Sequence, residues 1–216
     1  MCSGRVDLEF ILRAFSNGQD GVFIGGCRLD ECNYVTHGNY DALSAARLCR
    51  EIMTRVGLSP ERLRIEFMSG GDGILLTRLI DDFTNQVKEM GPIGTGGEED
   101  EKRWRPKIEA ARQLVPYMKL AENRRLKPSV KSQEAYESFL NSEEWLRLFD
   151  ELIADKLAIG QITRLLKESP LSAGEISKGL GISPSEVSSR MNASSRHGWV
   201  RYDVDARRYA LARGAE

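Results

Sequence analysis

From Asp7 to Gly91 the apolar residues switch repeatedly between helical and strand spacing, and this alternation is the strongest constraint on the fold. Phe10, Ile11, Ala14 and Phe15 recur at helical spacing between Asp7, placed to cap the helix start, and Gly18, just past its end. The stretch "DGVFIGGC" is a short β-branched and aromatic run bounded by glycines, which predicts a buried strand ending at Cys27. A helix over roughly Tyr40 to Val56 follows, with Leu43, Ala46, Cys49, Ile52, Met53 and Val56 on one face. "RLRIEFMS" then alternates Leu63, Ile65 and Phe67 as a strand does, and Leu75, Leu76, Leu79, Ile80, Phe83, Val87 and Met90 return to helical spacing. This order predicts an α/β fold: a small parallel sheet with flanking helices and ligand sites at the carboxyl ends of the strands. By the same register "MCSGRVD" is the tail of a strand, but only Met1 is present to form it, so the first strand is expected to be missing.

The pattern breaks at "GPIGTGGEEDEKRW", whose glycines, proline and acidic run have the composition of an exposed linker, with a boundary near Pro92 to Asp100. Beyond it, Ile108, Ala111, Leu114, Val115, Met118 and Ala121 mark an amphipathic helix with a kink expected at Pro116 and a basic face of Lys107, Arg112, Lys119, Arg124 and Arg125. A second helix is expected to follow Ser132 and run on toward Leu157. Two capping boxes, Ser172 with Glu175 and Ser183 with Glu186, then start two short helices separated by a tight turn. Trp199, Val200, Tyr202 and Val204, a "DARR" turn, and Tyr209 and Leu211 complete a winged helix-turn-helix pattern. The expected domains are therefore 1–92, an α/β domain; 93–156, a linker and helical connector; and 157–216, a winged-helix domain.

At 216 residues with 41% hydrophobic content, the chain is long enough for one full core and a smaller second one. A net charge of -1 argues against a chain built mainly to bind polyanions. No apolar run approaches the roughly 18 residues of a membrane helix and no leader pattern precedes a cleavage site, so a soluble, cytoplasmic protein is expected.

All four cysteines, Cys2, Cys27, Cys32 and Cys49, fall in the first quarter of the chain, a clustering that points to metal or redox chemistry rather than a disulfide scaffold. Cys49 lies on an apolar helix face and reads as a small buried hydrophobe. Cys2, Cys27 and Cys32 fall on loops at one edge of the expected sheet, where thiolates can converge on a metal. The "CRLDEC" spacing matches one pair of a plant-type ferredoxin, and His37 would complete a three-cysteine, one-histidine zinc set as the competing reading. Three cysteines fall short of the four thiolates an iron-sulfur cluster usually takes.

The combination of "MCSGRVD", "DGVFIGGCRLDECNYVTHGNY" and "LSPERLRIEFMSGGDG", in that order, resembles the delta, iron-sulfur subunit of methyl-viologen-reducing, F420-non-reducing hydrogenases over roughly Met1 to Gly91. The resemblance implies a [2Fe-2S] cluster ligated by Cys2, Cys27 and Cys32. It also implies a role relaying electrons from a hydrogenase or a formate dehydrogenase to heterodisulfide reductase. Members of that family begin with a further strand and a Cys-x-x-Cys-like loop, so the resemblance implies a longer natural polypeptide, or a partner that supplies the rest. An in-frame UGA encoding selenocysteine is one expected origin of a start at Met1, and incomplete cluster incorporation is expected for the chain as it stands.

In the winged-helix segment basic residues exceed acidic ones by only a few, which is mild for a duplex binder. Ser185, Ser188 and Arg196 on the second short helix and Arg207 at the wing tip are the candidate DNA contacts. The glycines of "GGDG" lack the Lys-Ser/Thr of a phosphate loop and read as a helix-start turn. The expected function is an electron-relay component of an oxidoreductase complex with no catalytic residue of its own. The alternative is a redox- or metal-responsive winged-helix regulator.

Overall fold

A computed structural model describes residues 2–34, 38–94, 98–196 and 200–212. Met1, His37, His197 and Trp199, and the side chain of Arg196, lie outside the described residues. By compactness the chain divides into two units, Met1–Asp150 and Glu151–Glu216, so the helices after the linker belong with the first.

The first unit is an α/β arrangement around two strands, β1 (Val22–Gly26) and β2 (Leu63–Phe67), paired in parallel from Val22 with Leu63 to Gly26 with Phe67. A short 3₁₀ turn, Ser3–Arg5, leads into α1 (Leu8–Ser16), whose first turn is capped by the Asp7 carboxylate accepting from Glu9 N–H at 3.0 Å. The crossover between the strands is α2 (Asn39–Val56), and α3 (Gly73–Met90) follows β2. Arg62 fastens these pieces together, donating to the carbonyls of Asp20, Met90 and Gly91. Alternate residues of a strand face opposite ways: Phe23 meets Phe83 of α3 with ring centroids 5.9 Å apart, and Ile24 is buried on the other side.

Two helix faces differ from their sequence reading. On α1 the buried residues are Leu8, Ile11, Leu12 and Phe15, whereas Phe10 is 54% exposed with Arg13 over its ring. The reason is tertiary: α1 packs against α4 (Glu98–Gln113), a helix distant in sequence that rotates the buried stripe away from Phe10. On α3 only Phe83 is buried, while Ile74, Leu75, Leu76 and Ile80 are 75%, 41%, 36% and 42% exposed. Among the described residues the sheet beneath α3 has two strands, too narrow to cover that face.

The linker is shorter than expected, because α4 already begins at Glu98 within the acidic run. The chain breaks helix at Leu114 and restarts as α5 (Val115–Arg125), placing Pro116 in the first turn, where its missing N–H leaves nothing unsatisfied. The expected long helix after Ser132 is two: α6 (Gln133–Leu140) and α7 (Glu143–Phe149). The break falls at Asn141–Ser142, where the Ser142 hydroxyl accepts from Trp145 N–H at 3.1 Å and starts a new helix. Part of the basic face is neutralised, with Arg112 on Glu9 and Glu109 and Lys119 on Asp7, while Arg124 and Arg125 are exposed.

A π-helical turn, Asp150–Ala154, leads to α8 (Asp155–Glu168). The second unit continues with α9 (Ala173–Leu180), α10 (Pro184–Arg196) and an antiparallel hairpin of β3 (Val200–Asp203) and β4 (Arg208–Leu211). Both capping boxes form: the Ser172 and Ser183 hydroxyls accept from the N–H groups of Glu175 and Glu186, whose carboxylates accept in return. Ile162, Leu166, Ile176, Leu180, Val187, Met191, Val200 and Tyr209 make its core, and Leu171 adds a backbone bridge to Tyr209.

Among the described residues no helix is long and apolar enough to cross a membrane.

Candidate metal centre

The 3₁₀ turn after Cys2, the loop after β1 and the start of α2 meet at the carboxyl end of the sheet. Two glycines permit this approach: a Cβ on Gly4 would run into the Gly38 carbonyl, and one on Gly38 would stand 2.7 Å from both Cys32 Sγ and the Tyr34 carbonyl oxygen. The result is that Cys2 Sγ and Cys32 Sγ, thirty residues apart in sequence, lie 3.8 Å from each other.

That separation is informative. Two thiolates bound to one tetrahedral ion, each about 2.3 Å from it, stand about 3.8 Å apart. The separation matches that geometry, and it is equally that of an S–H···S contact between two thiols.

Backbone N–H groups support the same reading. Those of Tyr34 and Asn39, with the Cys2 thiol, point at Cys32 Sγ and hold the Cys32 thiol below the ordinary thiol range, against the opposing effect of burial. Cys49 is the converse: fully buried in α2, its thiol is pushed well up by desolvation. Its exclusion from the ligand set follows from that burial.

Cys27 sits one residue past β1 and is exposed, lining a cleft of about 310 Å³ with Ser3, Met68, Ser69, Asp72 and Leu76. The structure thus brings Cys2 and Cys32 together and leaves Cys27 apart from them. Among the described residues no three His, Cys, Asp or Glu side chains gather into a metal-holding group. The histidine of the zinc alternative, His37, lies outside the described residues. The "GGDG" turn starts a helix as expected: Asp72 accepts from Ser69 N–H at 2.9 Å and pairs with Arg28 at 2.6 Å. Both interactions hold the Asp72 carboxyl below its usual range.

The loop bearing Cys27 and Cys32 is held by two residues whose role the sequence pattern alone does not reveal. The Asn39 side-chain amide donates to the carbonyls of Cys27 at 2.9 Å and Arg28 at 2.6 Å, and the Tyr40 hydroxyl donates to Asp30. Asp30 has a φ of 68°, a left-handed conformation that Asp tolerates better than most non-glycine residues, and its carboxylate is held by Tyr40. The Gly-Asn-Tyr string was the available signal, since a buried Asn next to a buried Tyr at a helix start needs polar partners.

The candidate DNA contacts are mixed. Ser185 is exposed, but the Ser188 hydroxyl donates to the Pro184 carbonyl at 3.0 Å. Arg207 is exposed at the hairpin tip, whereas its neighbour Arg208 donates to the Pro170 carbonyl and pairs with Glu175.

Residues 1–91 match the family described as methyl-viologen-reducing hydrogenase, delta subunit. The chain is 43% identical over 92 residues to an iron-sulfur subunit of the F420-non-reducing hydrogenase of Archaeoglobus profundus, covering 43% of this chain and 66% of the relative. It is 37% identical over 91 residues to the vhu iron-sulfur subunit of the F420-non-reducing hydrogenase of Methanococcus maripaludis, covering 42% and 67%. It is also 43% identical over 95 residues to one subunit of the ferredoxin/F420H2-dependent CoB-CoM heterodisulfide reductase of Methanosarcina acetivorans, where the match covers 44% of this chain but only 12% of the relative. The chain thus spans about two thirds of the hydrogenase iron-sulfur relatives and a small part of the reductase relative. With the paired cysteines, their loop and both strands inside the matched segment, the chain belongs, through residues 1–91, to the methyl-viologen-reducing hydrogenase delta subunit family.

Proposed function

We propose that this chain is an iron-sulfur electron-transfer subunit of a hydrogenase- and heterodisulfide-reductase-type assembly. It takes electrons from a hydrogenase or a formate dehydrogenase and passes them toward a heterodisulfide reductase, converting no substrate itself. The observation that carries this reading is the 3.8 Å separation of Cys2 and Cys32 within a segment whose relatives are named as iron-sulfur subunits.

A [2Fe-2S] cluster, when bound, supplies one-electron transfer. Cys2, Cys27 and Cys32 would hold it, which leaves the set one thiolate short within this chain. The N–H groups directed at Cys32 favour the thiolate that ligation requires, and the Asn39 amide fixes the loop that carries Cys27.

For the second unit we propose a winged helix-turn-helix, a reading supported by three helices, a two-stranded hairpin and one shared core. Its role in the assembly is protein docking. Ser188 and Arg208 are engaged within the unit, and Arg190 is paired with Asp155 and Glu186, which disfavours a redox-responsive DNA-binding regulator. The functional division proposed is the family-matched segment, a helical connector and this unit.

The test is anaerobic reconstitution with iron and sulfide, followed by visible spectroscopy and metal analysis. The expected result is less than one cluster per chain, lost in Cys2→Ser and Cys32→Ser and retained in Cys49→Ser. A colourless, zinc-binding protein, or incorporation indifferent to Cys2 and Cys32, overturns the proposal.

A further inference from the structure

We propose that the connector helices, which lie outside the family-matched segment, are a working part of the cysteine site, with Tyr136 of α6 as a positioning residue for the Cys27–Cys32 loop. This rests on the reading of that loop as ligand-bearing and extends it to residues beyond 91.

Two contacts clasp the first turn of α2 from the connector side. The Tyr136 ring lies against the Tyr40 ring with centroids 4.5 Å apart, and both side chains are buried. Lys127 reaches from the loop after α5 to Asp41 at 2.8 Å and Glu122 at 3.5 Å. Burial pushes the Glu122 carboxyl up, and the Tyr136 hydroxyl is pushed up to about 12 by burial and by the nearby Asp41 and Glu122. Such an apolar and ionic clasp fixes the rotamer and backbone of the residues it holds.

Those residues in turn hold the cysteine loop. Tyr40 donates to Asp30, the loop residue in the left-handed region, and Asn39 donates to two loop carbonyls. A positive φ costs free energy at a non-glycine residue, less at Asp than at most, and the hydrogen bond from Tyr40 to the Asp30 carboxylate favours keeping it. The Tyr40 hydroxyl can enforce it only while the Tyr40 ring is kept in place, and Tyr136 is the aromatic ring packed on that side. The line of support runs from Tyr136 through Tyr40 to Asp30, two residues before Cys32.

The experiment reads thiol reactivity in the full-length, metal-free chain. Alkylation of Cys27 and Cys32 by N-ethylmaleimide is followed by mass spectrometry at fixed pH in the parent, Tyr136→Ala, Tyr136→Phe and Tyr40→Phe. Tyr136→Ala is expected to speed hydrogen exchange over residues 28–34 about tenfold and to move the Cys32 rate severalfold from the parent value. Tyr136→Phe, which keeps the ring, is expected to stay within about twofold of the parent. Tyr40→Phe, which keeps the stack and removes only the donor to Asp30, is expected to speed the same exchange and move the Cys32 rate on an intact fold, and it decides the matter if Tyr136→Ala does not fold. Parent-like Cys32 reactivity in Tyr40→Phe, or Tyr136→Phe as reactive as Tyr136→Ala, overturns the inference. Failure of iron reconstitution in the parent, with this reactivity pattern intact, sinks the cluster reading and leaves the positioning role standing.

Discussion

Gly38→Ala tests the geometry of the paired cysteines most directly. Its backbone, at φ -136° and ψ -150°, is extended and open to alanine, so the effect is steric. The new Cβ would stand 2.7 Å from Cys32 Sγ and 2.7 Å from the Tyr34 carbonyl oxygen, so Sγ must retreat by about 0.7 Å to reach an ordinary contact. Taken away from Cys2, that shift widens the 3.8 Å pair to about 4.5 Å, and at about 2.3 Å per bond the angle at a shared metal opens to about 155°. Taken toward Cys2, it drives the sulfurs into overlap. Overpacking of this kind costs about 1–3 kcal/mol, which becomes about 5- to 150-fold weaker metal binding when the strain is relieved only in the metal-free state. The assay is anaerobic titration with cobalt(II), reading the thiolate-to-metal charge-transfer band. Gly70→Ala is the control, because no atom lies within 4 Å of its Cβ. Cobalt affinity and band position in Gly38→Ala within twofold of the parent would refute the reasoning.

Further outcomes are expected elsewhere. In the metal-free protein, alkylation of Cys32 proceeds at a lower pH than an ordinary thiol, because its thiolate form is favoured, whereas Cys49 stays unreactive until the chain unfolds; iodoacetamide labelling across pH 6–10 reads both. Met191→Ala, at a fully buried position of the second core, destabilises that unit by about 2–5 kcal/mol in urea, while Val204→Ala, 75% exposed, changes it by less than about 0.5 kcal/mol. Ser172→Ala removes a capping box and costs about 1 kcal/mol at neutral pH. The Ser172 N–H and then its hydroxyl lower the Glu175 carboxyl, and only the hydroxyl-to-carboxylate part is both lost in the variant and titrating: it is present above the ordinary carboxylate range and lost as pH falls through the depressed pKa, so the gap between parent and variant narrows in acid without closing.

Local features survived the passage from sequence to structure, and faces set by distant partners did not. β1 was legible because a β-branched and aromatic run between glycines has few alternatives, β2 because Leu63, Ile65 and Phe67 alternate, and the capping boxes because each is complete within four residues. Phe10 was misplaced because its helix turns toward α4, a packing no local spacing encodes. The interruption at Asn141–Ser142 was hidden under continuous helical spacing, although Ser142 carries the signature of a helix start. At the candidate site the cysteines were visible as residue types, but their pairing depends on Gly4 and Gly38 bringing two backbones together. The role of Tyr136 was out of reach, since it acts on a loop about a hundred residues earlier.

That separation gives the site a history during synthesis. Cys2, the strands and the cysteine loop all leave the ribosome before Tyr136, and about 100 residues lie between Cys32 and Tyr136. At about 5–20 residues per second, the Cys32 thiol spends about 5–20 s outside the tunnel before the ring that braces its loop emerges. Vectorial translation thus builds an interval in which both sulfurs have left the ribosome while the clasp on their loop is still incomplete.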